Sequence, residues 1–220
     1  MSIEQNLKKI KSSLPKHVTL VAVSKTKPVS DLMEAYNAGQ RIFGENKIQE
    51  MAEKYENMPK DIDWHMIGHV QRNKVKYMAP FVSLIHGVDN FKLLKEINKE
   101  AKKNDRIIDC LFQIKIAEED SKFGMSVKEA SDIIQSKTFS ELENVSITGV
   151  MGMATFTDDH NQIQKEFNQL KSTFEELKAL QTDNCKLQIV SMGMSGDYEL
   201  AIDSGSTMIR VGSSIFGSRS

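Results

Sequence analysis

Lys25 follows an apolar run, Val18-Thr19-Leu20-Val21-Ala22-Val23-Ser24, and precedes Lys27-Pro28. Strand-favouring and small residues in unbroken succession read as a buried parallel strand, and Pro28 cannot continue it. The carboxyl end of the first strand is where α/β folds keep their sites. An amine desolvated there loses its proton and attacks a carbonyl carbon. A solvated loop lysine is the plain alternative. The far end of the chain weighs against it. Ser195-Gly196-Asp197 opens a short helical stretch, for which Ser195 serves at least as an N-cap candidate. Gly212-Ser213-Ser214 offers backbone N–H groups and hydroxyls after the last strand. Arg210 lies within that strand, where a cation is costly to bury without a partner.

These residues are positioned by an alternation of apolar runs and amphipathic stretches. Strands are expected at Val18–Ser24, Arg41–Gly44, Asp63–Gly68, Val82–Val88, Asp109–Ile116, Ser146–Ala154, Leu187–Met192 and Thr207–Val211. Between them Ile163, Phe167, Leu170, Phe174 and Leu177 form a helical stripe that faces a core. Ser126 and Glu129 have the spacing of a capping box. Eight strands alternating with helices predict an α/β fold, a single (β/α)8 barrel of the TIM type, over residues 1–220 as one domain. A doubly wound open sheet is the alternative, because strand order is invisible in a sequence. In the barrel reading, the Ser195 and Gly212 segments follow strands seven and eight, where barrels commonly bind phosphate.

The 29 basic and 30 acidic residues nearly cancel, which argues against a nucleic-acid partner. No apolar run is long enough to cross a membrane, and the N-terminus lacks the apolar core of a signal peptide. Cys110 and Cys185 are far apart, with no metal-ligand spacing, and read as buried thiols of a reducing cytosol. His65 and His69 lie four apart, but at a strand-to-loop position and with no glutamate after His65, so no metal site is expected. His86 is undecided between cavity and core.

A lysine at strand one and a phosphate cradle at strands seven and eight suit a phosphorylated carbonyl compound. Two classes satisfy this: pyridoxal 5'-phosphate (PLP) held on the lysine, or a sugar-phosphate aldolase substrate. Seven segments now carry a resemblance: Val21-Ala22-Val23-Ser24-Lys25, Phe43-Gly44-Glu45-Asn46, Trp64 to Gln71, Lys122-Phe123-Gly124, Gly149 to Met153, Ser191 to Asp197, and Ser206 to Gly217. Together they resemble the YggS/PROSC-type PLP homeostasis proteins, whose fold is the barrel domain of alanine racemases.

The resemblance implies roles. Lys25 matches the Schiff-base lysine, which carries the covalent PLP aldimine. Ser195, Gly212 and Ser213 match the phosphate-binding positions, and Arg210 the arginine beside the pyridine nitrogen. Asn46 and His65 match residues lining the cofactor face. A guanidinium only donates hydrogen bonds, so the ring nitrogen stays unprotonated and PLP is a weaker electron sink. Alanine racemases add a C-terminal domain that supplies a catalytic tyrosine, whereas this sequence stops at Ser220. Of its tyrosines, Tyr36, Tyr55 and Tyr77 read as helix-face residues, and Tyr198 lies near the phosphate segment. The expectation is a cytoplasmic, monomeric PLP carrier without catalytic residues, acting in vitamin B6 homeostasis and delivering PLP to apo-enzymes. A single-domain PLP-dependent amino-acid racemase is the main rival, and an aldolase working without PLP the second.

Overall fold

The computed structural model describes residues 2–118 and 123–217. Lys122 of the Lys122-Phe123-Gly124 segment therefore lies outside the described residues. The strands are β1 (Thr19–Val23), β2 (Ile42–Glu45), β3 (Asp63–Met66), β4 (Leu84–Val88), β5 (Ile108–Gln113), β6 (Val145–Met151), β7 (Cys185–Ser191) and β8 (Met208–Val211). They pair in sequence order as parallel neighbours, and β8 returns to pair with β1 in a closed barrel. Closure rules out the open sheet. It also leaves no unpaired edge.

The helices are α1 (Ile3–Ser13), α2 (Val29–Asn37), α3 (Ile48–Asn57), α4 (Val75–Met78), α5 (Phe91–Lys103), α6 (Val127–Ile134), α7 (Lys137–Ser140), α8 (His160–Lys178), α9 (Tyr198–Asp203) and α10 (Ser213–Phe216). Each strand is followed by at least one of them, as a ring of parallel strands requires. α6 begins at the expected capping box: Ser126 Oγ accepts from Glu129 N, and the Glu129 carboxylate accepts from Ser126 N at 2.8 Å. In α8 the residues Ile163, Phe167, Leu170, Phe174 and Leu177 are all buried. That stripe packs onto the barrel and makes no separate seam.

Hydrophobic burial divides into two zones. The larger lies between the strands and the helices and includes Phe43, Trp64, Phe112 and Phe167. The smaller comprises Val21, Leu84, Leu111, Met151 and Met208, one residue from each of five strands. Successive strand residues face opposite sides. Val21 pairs with Arg210 across the closure, and Ala22 with Val211. Val21, Val23 and Lys25 therefore climb the inner face of β1, opposite Met208, Arg210 and Gly212 on β8.

Several strands end earlier than expected. β5 stops at Gln113 and not Ile116, because Lys115 N donates to Met125 O (3.0 Å) and Met125 N to Gln113 O (2.9 Å). The returning loop takes over the backbone groups at the mouth. β3 stops at Met66, and its continuation crosses close to β2: a Cβ on Gly68 would lie 2.4 Å from Asn46 O. The segment Arg72-Asn73-Lys74-Val75-Lys76 is a short 3-10 turn, Arg72–Lys74, running into α4.

Gly149 on β6 pairs with Ile189 on β7, and a Cβ there would sit 2.0 Å from Ile189 O. Gly149→Ala must push two paired strands apart. The expected cost is about 1–3 kcal/mol or more, read as a lower urea midpoint with an unchanged slope. A midpoint equal to the parent's would show that the barrel wall is not closed at this point.

Candidate functional site

Above the inner apolar zone, at the carboxyl ends of the strands, a cavity of about 640 Å³ opens. Lys25, Asn46, Ser195, Arg210, Gly212 and Ser213 all line it. These six expected residues come from four separate strand ends, and the ring brings them to one mouth. His65 does not line the cavity. It lies one layer deeper, while His69 occupies the rim, its ring stacked on Phe123 at a 4.5 Å centroid distance.

Lys25 is half-buried, two residues past the end of β1. The inward alternation of β1 carries it over the cavity floor. Between the ends of β7 and β8, Ser195 Oγ accepts a hydrogen bond from Gly212 N at 3.1 Å. The plain alternative for Ser195, that it merely caps the following helix, does not describe the structure. Asp197 holds the N-cap position of α9, and its carboxylate accepts from Met194 N at 2.5 Å. The Ser195 hydroxyl is thus drawn toward β8. A Cβ on Gly212 would lie 3.1 Å from Val23 O, so a side chain there would crowd the β1 backbone. Hydroxyls from Ser195 and Ser213 and the N–H groups opening α10 form a cradle of donors, the arrangement that suits an anion.

Arg210 is buried, and its guanidinium is fixed from below. Nη1 donates to Ser191 Oγ at 2.7 Å and Nη2 to Gly152 O at 3.1 Å. Ser191 Oγ in turn lies 3.0 Å from His86 Nδ1, and His86 Nε2 lies 3.1 Å from His65 Nδ1. Arginine only donates, so Ser191 Oγ accepts from it, and the hydroxyl proton turns to His86 Nδ1. His86 then carries its proton on Nε2 and donates to His65. The reverse direction would leave the serine proton without an acceptor in this chain. Four side chains from β8, β7, β4 and β3 thus share one polar layer across the barrel.

The electrostatics of this layer follow from burial. Desolvation holds His65 down to about 3, and it pushes His86 well below the ordinary histidine value, helped by His65 and Arg210. Burial also pulls Arg210 down to about 10, opposed by the Asp197 carboxylate. At neutral pH the layer is therefore two neutral imidazoles beneath one guanidinium. A fixed donor-only cation facing a cavity suits a neutral aromatic nitrogen, which can accept.

Ser191 and His86 were not among the expected site residues. The available signal was strand parity: His65, His86, Ser191 and Arg210 all fall on inward positions of their strands. Tyr198, near in sequence, faces elsewhere, toward Glu199 and Ser13. None of the four tyrosines lines the cavity. Cys110 and Cys185 are free and buried, and burial raises both thiols, Cys185 to about 12. Among the described residues no cluster of His, Cys, Asp or Glu could hold a metal ion.

Comparison with known proteins bears on the family and the fold. The family model described as alanine racemase, N-terminal domain, matches residues 1–220. A pyridoxal phosphate homeostasis protein of Pasteurella multocida is 38% identical, over 100% of this chain and 98% of its own. One from Aquifex aeolicus is 36% identical, over 91% and 86%. PipY of Synechococcus elongatus PCC7942, solved with PLP bound, superposes with a TM-score of 0.88 at 33% identity, over 98% of this chain and 100% of its own. An alanine racemase of Clostridium difficile shares the fold at 16% identity and a TM-score of 0.83, with 60% of its chain covered. The chain belongs to the alanine racemase N-terminal domain family, and within it to the pyridoxal phosphate homeostasis proteins.

The histidine layer makes a prediction about acid stability. Both imidazoles have folded values below their unfolded ones, so the unfolded chain binds more protons as pH falls below about 6.5. Their contribution is intact above that value and is lost as pH falls, for His65 down to about pH 3. Each histidine adds up to about 1.4 kcal/mol per pH unit to the slope. Urea denaturation from pH 7.5 to 4.5 should show the loss, and His65→Asn should flatten it. An unchanged slope in that variant would contradict the neutral layer.

Proposed function

We propose that this protein binds PLP in the barrel mouth, holds it covalently on Lys25, and buffers or delivers it within the cytoplasm as part of vitamin B6 homeostasis. The observation that carries this reading is the convergence of an amine, a donor cradle and a buried guanidinium on one cavity. The relatives' names and the PLP-bound PipY structure support the same reading. In it the whole chain works as a single PLP-binding barrel domain.

PLP supplies an aldehyde that condenses with primary amines. Nζ of Lys25 is the amine placed to meet it. The hydroxyls of Ser195 and Ser213 and the N–H groups opening α10 after Gly212 hold the phosphate end by charge-assisted hydrogen bonds, with Gly212 N setting the Ser195 hydroxyl in place. Arg210 donates toward the ring nitrogen and keeps it unprotonated, with Ser191 and His86 holding the guanidinium in place. Asn46 borders the ring from β2, and His65 acts from beneath through His86. The part these residues play is capture and orientation.

The same features support a carrier over a racemase. With an arginine at the ring nitrogen the ring is a weak electron sink, so racemization there needs a strong base on each face of the α-carbon. Lys25 offers one amine, and no tyrosine lines the cavity to serve the other face. No helix among the described residues is long and apolar enough to cross a membrane. Apo forms of PLP-dependent enzymes are the recipients we propose, with the protein acting as a monomer.

Lys25→Ala tests the reading. The parent should develop a visible absorption band on titration with PLP, at one equivalent per chain. The variant should lose the band and bind PLP at least about tenfold more weakly, since it keeps only non-covalent contacts. A full band in Lys25→Ala would remove Lys25 from the site. α-Proton exchange of amino acids in deuterated water separates the rival, because turnover at a rate useful to a cell would make the protein a racemase.

A further inference from the structure

Lys25 sits in a turn whose backbone is unusual. Thr26, the next residue, has φ +65°. A β-branched residue in the left-handed region is strained, and such strain persists only where surrounding structure enforces it. The enforcing groups are an ion cluster behind the turn. Lys54, buried on α3, donates from Nζ to Glu45 Oε1 (2.7 Å), Glu50 Oε1 (2.7 Å) and the carbonyl of Ser24 (2.8 Å). Ser24 Oγ donates to Glu45 Oε1 at 2.6 Å. Thr26 N donates to Glu50 Oε1, also at 2.6 Å.

The residues on either side of Lys25 are therefore both tied to the same cluster. Ser24 is held at its hydroxyl and its carbonyl, and Thr26 at its N–H. A further turn bond, from Lys27 N to Ser24 O at 3.1 Å, closes the loop. Glu45 is fully buried, and its second oxygen, Oε2, has no hydrogen-bond partner among the described residues. A buried ion cluster with an unsatisfied oxygen is a poor device for stability alone, since apolar packing of equal volume serves as well or better. Its geometry is spent on the turn.

We propose that Glu45, Lys54 and Glu50 are positioning residues for Lys25: they hold the strained turn that delivers the amine into the cavity. This rests on the reading of Lys25 as the PLP-bearing lysine. Glu50 is the member to test, because it is partly exposed and its loss leaves the buried Glu45–Lys54 pair intact. Glu50→Ala removes the acceptor from Thr26 N. Glu50→Gln keeps an oxygen there.

The test compares PLP with 4-deoxypyridoxine 5'-phosphate, which keeps the ring and phosphate but lacks the aldehyde. Glu50→Ala should slow formation of the PLP absorption band and weaken PLP binding by about tenfold. Affinity for the aldehyde-free analogue should be unchanged, and Glu50→Gln should recover most of the PLP loss. Equal loss for both ligands would make the cluster a general scaffold and overturn the proposal. So would parental PLP binding in Glu50→Ala. Failure of the Lys25 reading would look different: the parent's own band would survive in Lys25→Ala.

Discussion

The pairing of β8 with β1 is the constraint on which the site depends. Its register, Thr19 with Met208 through Ala22 with Val211, joins the two ends of the chain. Because paired parallel residues point the same way, this register sets Val23 and Lys25 beside Arg210 and Gly212 on the inner face. A slip of one residue would turn Lys25 or Arg210 outward into the helix layer. The close approach of Gly212 to Val23 O marks how tightly this seam is drawn. The amine and the cradle of donors are neighbours only because the barrel closes.

Burying Arg210 costs several kcal/mol unless hydrogen bonds offset it. The barrel meets that cost with hydrogen bonds to a serine and a backbone carbonyl and, behind the serine, two histidines, while the Asp197 carboxylate favours the charge electrostatically. The hydrogen-bond acceptors are neutral, and they fix the donor geometry of the guanidinium. The layer thus joins packing to function, since the groups that make burial tolerable also aim the charge. A second cluster, behind β1 and β2, does for the amine what this layer does for the guanidinium.

Much of this was legible in the sequence for a physical reason. Apolar runs bounded by glycine and proline mark buried strands, and period-two alternation puts Lys25 and Arg210 on the inward side once the strands are drawn. The helix stripe from Ile163 to Leu177 and the Ser126–Glu129 capping box depend only on local spacing, and both stand in the structure. What stayed hidden depends on contacts between distant strands. Ser191 in a strand carries no signal until β8 lies beside β7. His86 could not be assigned to core or cavity until β3 and β4 were paired. The i,i+4 spacing of Glu50 and Lys54 is visible on paper, but Glu45 and Ser24 complete the cluster from two other elements. The local context of Ser195 also allowed a helix cap, and only the long-range contact with Gly212 N shows that its hydroxyl is engaged elsewhere.

The central claim is that one lysine, at the end of β1, carries the cofactor. The direct measurement is borohydride reduction of the PLP-treated protein, followed by proteolysis and mass mapping of the modified peptide. The account predicts one adduct per chain, on the peptide containing Lys25. An adduct on a different lysine, or modification spread over surface lysines in proportion to exposure, would contradict it.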